Sequence, residues 1–381
     1  MLGPDRAERL DIADIVRAHR GALESTHRLT REQKRVLTDI AQCRTAVLGG
    51  HVDRCVRCGY EHPSYNSCRN RHCPKCQALA QETWIEARRA KMLDTRHFHV
   101  VFTLPAELRP LAAFAARAVY DALFRAAART LVAFGRRRFK ATLGATLVLH
   151  TWTRELLFHP HVHAIVTAGG LSADGRWQSA HRKFLFPVRT LGHVFRAKMF
   201  AELAKAHRAH AFDGFDDFDD PEGFSRLMQR AARQRWNVYA KPSFAHGRLV
   251  LAYLGRYTHR VGISNSRLLV VSAHKVTFRT KHGRTETVTP PEFLHRFIAH
   301  VLPDALHKIR HVGLYAAACA KPREQARACL GATLCSRTQP DWRARLLALT
   351  GRDVATCPRC GGPLVTVAVA RCRDPPTQQA A

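Results

Sequence analysis

Two histidines one residue apart, His161 and His163, sit in the stretch Leu157-Phe158-His159-Pro160-His161-Val162-His163-Ala164-Ile165-Val166-Thr167. The stretch is apolar and rich in β-branched residues, so it reads as a buried or half-buried strand. Side chains two apart on a strand share a face, and the two imidazoles therefore point the same way. Paired imidazoles on a rigid strand are able to hold a divalent cation. Two rarely suffice for a hard cation, and the sequence offers two third ligands: His159 on the same strand face, or Glu155, the nearest carboxylate upstream. Taken alone, the motif more often marks two histidines hydrogen-bonded within a core. A second set is Tyr253 and Tyr257, four apart in a segment of helical pattern over residues 247–260, so that both phenols emerge on one face. They are either packing residues or covalent nucleophiles. Arg256, His259 and Arg260 share the segment, and such a basic surround would attract a phosphate and stabilise a developing phenolate.

The cysteines form a third set. Cys55-x-x-Cys58 and Cys73-x-x-Cys76 each make a knuckle offering two thiolates, and two knuckles make a tetrahedral Zn²⁺ site. Residues 59–72 separate the pairs, just under the usual ribbon spacing. Cys43, His51, Cys68 and His72 lie between or beside them, and either build a second, interleaved site or replace a member of the first. With every ligand supplied by protein, the metal is structural. Near the C-terminus Cys357-Pro358-Arg359-Cys360 is a single knuckle whose partners would be Cys372 with Cys319, Cys329 or Cys335.

The elements that must position these groups follow from periodicity. Residues 1–48 read as helical, with a capping box at Thr30–Gln33. A helix is expected over 78–92, then a strand at His97–Leu104 ended by Pro105. Residues 106–134 read as one long amphipathic helix with Gly135 as its stop, followed by the basic cluster Arg136, Arg137, Arg138 and Lys140. Residues 143–149 and 152–167 look like a β-hairpin whose second arm carries the paired histidines. Residues 190–235 read as mostly helical, interrupted by an exposed acidic loop at 212–223. Short strands fill 267–288, and 291–318 read as helical. The partition is then 1–42, a helical segment; 43–92, a zinc module; 93–265, the domain of the histidines and tyrosines; and 266–381, a hairpin and helical region.

Charge narrows the function. The 381 residues carry a formal net charge of +31, and the pI is about 10.7. A balance that basic argues for a polyanion, most simply nucleic acid. No apolar run reaches transmembrane length, and the N-terminal stretch is charged throughout, so a soluble cytoplasmic protein with no membrane partner is expected. Twelve cysteines in a reducing compartment point to metal rather than disulfides. No phosphate-binding Gly-x-x-x-x-Gly-Lys-[Ser/Thr] loop is present, which excludes a helicase engine of that type.

Five segments in order carry a resemblance over nearly the whole chain: CVRCGYEHPSYNSCRNRHCPKCQ, HFHVVFTLP, LLFHPHVHAIVTAGGLS, KPSFAHGRLVLAYLGRYTHRVGISNSRL and HVLPDALHKIRHVGLYA. Together they resemble the rolling-circle transposases of the insertion sequence 91 family, two-tyrosine members of the HUH (His-hydrophobe-His) superfamily. The resemblance implies an α+β fold, with a ferredoxin-like antiparallel sheet carrying the histidines on a central strand, the tyrosine helix nearby, and an N-terminal zinc-binding module. It implies that His161 and His163 hold Mg²⁺ or Mn²⁺ and that Tyr253 and Tyr257 attack single-stranded DNA, giving a 5′-phosphotyrosine intermediate. The expected partners are the hairpin ends of a mobile element, target DNA, and host helicase and replication machinery on the nucleoid. A plasmid-type replication initiator would share this chemistry, and a DNA-binding regulator would share only the charge.

Overall fold

The chain is described here by a computed structural model covering residues 10–181, 185–244, 262–331, 341–351 and 353–370. In chain order the first elements are helices α1 (Ile12–Thr26) and α2 (Arg31–Gln42), strands β1 (Gly50–Cys55) and β2 (Glu61–Tyr65), and helix α3 (Gln77–Arg89). Strand β3 (His97–Thr103) is followed by helices α4 (Arg109–Phe114) and α5 (Ala116–Phe134), then strands β4 (Ala141–Trp152), β5 (Phe158–Ser172) and β6 (Trp177–Ser179). Helices α6 (Val188–Arg208) and α7 (Gly223–Arg233) lead to β7 (Val238–Phe244). Beyond it come β8 (Leu268–Val271), β9 (Val276–Arg279), β10 (Thr285–Val288), α8 (Pro290–Ile298), β11 (Ile309–Gly313), α9 (Ala320–Cys329), α10 (Trp342–Thr350) and β12 (Leu364–Ala370).

Contacts divide the chain into two compact units: one of Met1–Thr83, His259–Val301 and Arg337–Ala381, the other of Trp84–Thr258 and Leu302–Ser336. The first carries short strands rather than a large sheet, and its helices bury Ile12, Ile15, Leu23, Leu37, Phe293 and Phe297. Thr30 and Gln33 close the expected capping box at the start of α2. Lys75 pairs with Asp11 at 2.8 Å, and Asp11 also caps α1 through the amide of Ala13. The hairpin β9–β10 turns through His282 and Gly283, both at positive φ. Strands β12, β1 and β2 form a separate three-stranded sheet.

The second unit carries an antiparallel sheet in the order β11-β4-β5-β3-β7. Counting β3, β4, β5 and β7 as first to fourth, with helices between first and second and between third and fourth, the order is 4-1-3-2. That is the ferredoxin-like arrangement, with β11 added at the edge beside β4. Alternation along each strand divides the two faces. Phe98, Val100 and Phe102 of β3, Leu147 and Leu149 of β4, and Val162, Ala164 and Val166 of β5 all join the main core with α5 and α6. Packing of these two helices is reinforced by Glu202, buried on α6, which accepts from Arg125 at 2.6 Å and Arg129 at 2.5 Å. The residues between them, including His99, His150, His161 and His163, lie on the opposite face.

Three expectations are corrected. Residues 106–134 do not form one helix: α4 ends at Ala115, whose φ of −110° and ψ of 52° break the run. Gly135 does not stop α5 either; its φ of −57° continues into a π-helical turn over Gly135–Phe139, which Lys140 ends in the left-handed region. Residues 309–313, read as helical, are strand β11, because their backbone completes the free edge of β4 from Ile309↔Val148 to Gly313↔Gly144. The acidic segment is exposed as expected, but its Asp-Phe alternation has a packing reason. Phe212, Phe218 and Phe224 cluster with His207, while the aspartates face outward.

At the start of β3, the Tyr315 hydroxyl accepts from the Leu93 amide at 3.2 Å and meets His97 Nε2 at 2.7 Å. Burial holds His97 down at about 4, so it is neutral and accepts the hydroxyl proton. Tyr315→Phe leaves the Leu93 amide and the His97 nitrogen short of a partner, and should cost about 1–3 kcal/mol in urea unfolding. Because the folded state resists the proton, the His97 contribution is complete above pH 6.5 and declines as pH falls towards 4, which thermal melts across that range will read.

Candidate functional site

The register of β4 against β5 places His150 directly opposite His161, and Val148 opposite His163. One ring nitrogen from each of His150, His161 and His163 lies within 4.8 Å of the others. The ring centroids of His150 and His163 are 4.3 Å apart, and those of His161 and His163 are 4.8 Å apart. Three imidazoles from facing strands of a hydrogen-bonded sheet form a rigid donor set, and this donor chemistry suits a divalent metal.

Neighbouring groups orient the rings. His161 Nδ1 lies 2.6 Å from the carbonyl of His159 and donates to it, which leaves Nε2 as a lone-pair donor. His163 Nδ1 lies 2.7 Å from His99 Nε2 of β3, and with the proton on Nδ1 its Nε2 is likewise available. The two Nε2 atoms converge to 3.0 Å. Burial, with the nearby charges of His159 and His99, holds His161 down at about 4. Burial, with His161 and His99, holds His163 well below its ordinary value. His99 is lowered to about 4 by burial. All three are neutral at pH 7, so no proton has to leave before a cation binds.

Neither third ligand drawn from the sequence joins His161 and His163. His159 Nδ1 instead receives a hydrogen bond at 2.8 Å from Arg109, and its proton affinity is lowered by burial and by that guanidinium. Glu155 lies in the turn between β4 and β5, with its amide on the Thr153 hydroxyl. The third imidazole is His150, which sequence reading missed. The expected hairpin arms, 143–149 and 152–167, left His150 in the turn; β4 instead runs on to Trp152, and the observed register sets His150 opposite His161. Tyr253 and Tyr257 lie outside the described residues.

The cysteines regroup as well. Cys73 and Cys76 do not share a site with Cys55 and Cys58. They stand with Cys43 and Cys68, all four sulfurs within 4.8 Å. Cys43 Sγ is 3.3 Å and Cys68 Sγ 3.6 Å from Cys76 Sγ. Four thiols at this separation match the edges of a tetrahedral zinc–thiolate centre, about 3.8 Å for Zn–S bonds of about 2.3 Å. Hydrogen bonds from Cys68 and Cys73 lower the Cys43 thiol to about 7, and those from Cys43, Cys68 and Cys73 lower Cys76 far below its ordinary value. His72 is buried and bonded to Asn70, and stands outside the set.

Comparison with known proteins agrees with this layout. The "Putative transposase" family model matches residues 144–323, and the "Transposase zinc-binding domain" model matches residues 15–104. Putative transposase y4qJ of Sinorhizobium fredii is 42% identical over 378 residues, which is 94% of this chain and 95% of that protein. The transposase for insertion sequence element IS801 of Pseudomonas savastanoi pv. phaseolicola is 31% identical over 74% of this chain and 69% of its own length. The chain belongs to the insertion sequence 91 family of transposases. Among solved structures, the conjugative relaxase TrwC in complex with oriT DNA is similar at 18% identity over 42% of this chain and 68% of that one, with a TM-score of 0.23. The fold of the transposase rests on its own strand order.

The zinc-binding match covers Cys43, Cys55, Cys58, Cys68, Cys73 and Cys76, and the transposase match covers all three clustered histidines. Among the described residues, no helix of this transposase is long and apolar enough to cross a membrane. The exposed Arg136, Arg137, Arg138 and Lys140 on and after the π-helical turn add a basic surface on the unit that bears the histidines. If His150 is a ligand, His150→Ala weakens Mn²⁺ binding as strongly as His161→Ala, by about tenfold or more in calorimetry. His159→Ala leaves the affinity within about twofold. An unchanged affinity in His150→Ala removes it from the ligand set.

Proposed function

We propose that this transposase nicks and rejoins single-stranded DNA at the ends of an insertion sequence, through a covalent 5′-phosphotyrosine, in rolling-circle transposition. The observation that carries the reading is the convergence of His150, His161 and His163 on the sheet face away from the main helical core. A packing role alone does not explain two neutral imidazoles, His161 and His163, turned by a backbone carbonyl and by His99 so that their Nε2 atoms meet beside His150. Membership of the transposase family and the basic balance of the chain support DNA as the substrate.

His150, His161 and His163 would hold the cation, which supplies Lewis acidity at the scissile phosphate. An all-imidazole set suits Mn²⁺ better than Mg²⁺, since Mg²⁺ prefers oxygen donors. Tyr253 is the first nucleophile and Tyr257 the second, by their order and four-residue spacing in the sequence. The phenol gives up its proton, its oxygen bonds to phosphorus, and the bond to the 3′ oxygen breaks. A 5′-phosphotyrosine and a free 3′-OH result. In rejoining, a 3′-OH attacks the same phosphorus and the phenol leaves. The phosphodiester energy stays in the covalent link, so no nucleotide is consumed, and strand separation falls to host helicase and replication proteins in the cytoplasm. Two phenols let one site hold two DNA ends in succession.

The test is incubation with single-stranded oligonucleotides from the element's own ends, followed by a denaturing gel. A covalent species is expected with the unaltered protein, at lower Mn²⁺ than Mg²⁺ concentration. Tyr253→Phe should lose the first adduct, and His161→Ala should lose cleavage while keeping DNA binding. Adducts formed at the original rate by both Tyr253→Phe and Tyr257→Phe would remove the tyrosines from the chemistry. Cleavage by His161→Ala at the original rate would remove the metal role.

A further inference from the structure

The cysteines left over from the first cluster are brought together from opposite ends of the chain. Cys55 Sγ is 3.4 Å from Cys360 Sγ, 305 positions away, and Cys58 Sγ is 3.7 Å from Cys357 Sγ. All four sulfurs lie within 4.8 Å of one another. These are the separations of thiolates sharing one tetrahedral ion rather than the ~2.05 Å of a disulfide.

The two loops are the same device. Cys55-Val56-Arg57-Cys58-Gly59 and Cys357-Pro358-Arg359-Cys360-Gly361 have matching residue types at their first, third, fourth and fifth positions. The amide of Gly59 donates to the Cys55 carbonyl at 3.0 Å, and that of Gly361 to the Cys357 carbonyl at 2.9 Å. The Cys55 amide donates to the Tyr60 carbonyl at 2.9 Å, and the Cys357 amide to the Gly362 carbonyl at 2.7 Å. Both glycines hold φ at +67°, a conformation that favours glycine. The loops touch directly through the Val56 amide and the Pro363 carbonyl at 3.2 Å, and Arg359 lies 4.6 Å over the Tyr60 ring. Arg57, packed against Gly362, adds positive charge beside what would be a dianionic centre.

The strand that follows has little else to hold it. Strand β12 pairs with β1 from Cys55↔Leu364 to Gly50↔Ala370. Yet Val365, Val367 and Val369 are exposed at 45%, 43% and 70%. Neither strand contributes to the main core. A small sheet without an apolar core requires a staple.

We propose that Cys55, Cys58, Cys357 and Cys360 bind a second structural Zn²⁺, which fastens the C-terminal strand to the N-terminal module. Cys357 and Cys360 lie outside both matched family segments. The site is independent of the nicking chemistry, because its test counts metal and reads backbone protection.

The experiment measures zinc per chain by mass spectrometry of the full-length protein, with hydrogen exchange as the second readout. Two zinc ions are expected in the unaltered chain. Cys357→Ser with Cys360→Ser should keep one, as should Cys73→Ser with Cys76→Ser. In the first double variant the amides of β12 should exchange at least tenfold faster, while those of β4 and β5 stay protected. Cys360→His, which retains a ligand, should keep two ions and a protected β12, and so separates loss of metal from failure to fold. One zinc in the unaltered chain, two retained after loss of Cys357 and Cys360, iron in place of the second zinc, or unchanged β12 exchange in the double serine variant would each overturn the proposal.

Discussion

The antiparallel register between β4 and β5 is the constraint on which the histidine site depends. Side chains alternate along a strand, so a slip of one residue would turn His161 and His163 into the core and Val162 and Ala164 out of it. The apolar residues that alternate with the histidines therefore do more than fill space. Leu147, Leu149, Val162 and Ala164 are buried completely or nearly so, and their packing against α5 and α6 fixes which residues remain for the other face. His150 meets His161 because the same pairing that buries Leu149 leaves no alternative position for it. The geometry of the histidine cluster is a consequence of the core.

The same construction explains why the imidazoles are poised without charge. They rise from a sheet between strands that exclude water, and burial depresses His99, His161 and His163 together. Several neutral rings in such proximity can share protons and lone pairs, whereas several imidazolium ions would repel one another in a medium of low dielectric. Fixing the protons on the outward nitrogens, at the His159 carbonyl and at His99, resolves which lone pairs face inward. The clustered imidazoles and the groups that orient them thus come from three adjacent strands, β3, β4 and β5. Residues far apart in the chain become neighbours through strand pairing rather than through flexible loops.

Much of this was legible in the sequence, for reasons that are local. The Thr30–Gln33 box, the strand at His97, the hairpin arm with its paired histidines and the hairpin over 276–288 all rest on periodicity or turn chemistry within a few residues. What failed was information carried by the partner strand. Ile309–Gly313 becomes β11 because β4 offers an open edge, and nothing within the five residues announces that edge. His159 was a reasonable ligand by spacing along β5, but Arg109 from α4 claims its ring. His150 lies two residues from the end of a strand whose register sequence alone leaves open. Resemblance to a known family supplied the sheet and its central strand, and the observed strand order agrees with it.

The cysteines make the distinction between local and distant information sharper. A Cys-x-x-Cys knuckle is readable because four residues and a following glycine suffice to aim two thiolates at one point. Which second pair completes the tetrahedron is decided by chain topology. Nearness in sequence favoured joining Cys55 and Cys58 to Cys73 and Cys76, whereas the structure gives Cys73 and Cys76 the isolated Cys43 and Cys68. That choice leaves the knuckle on β1 needing a partner, and β12 delivers one by pairing alongside β1 with its own knuckle at the same end. Once the nearer cysteines are grouped, the distant pair is the only described one that both matches the loop conformation and reaches the sulfurs, so the grouping of one thiol set selects the other.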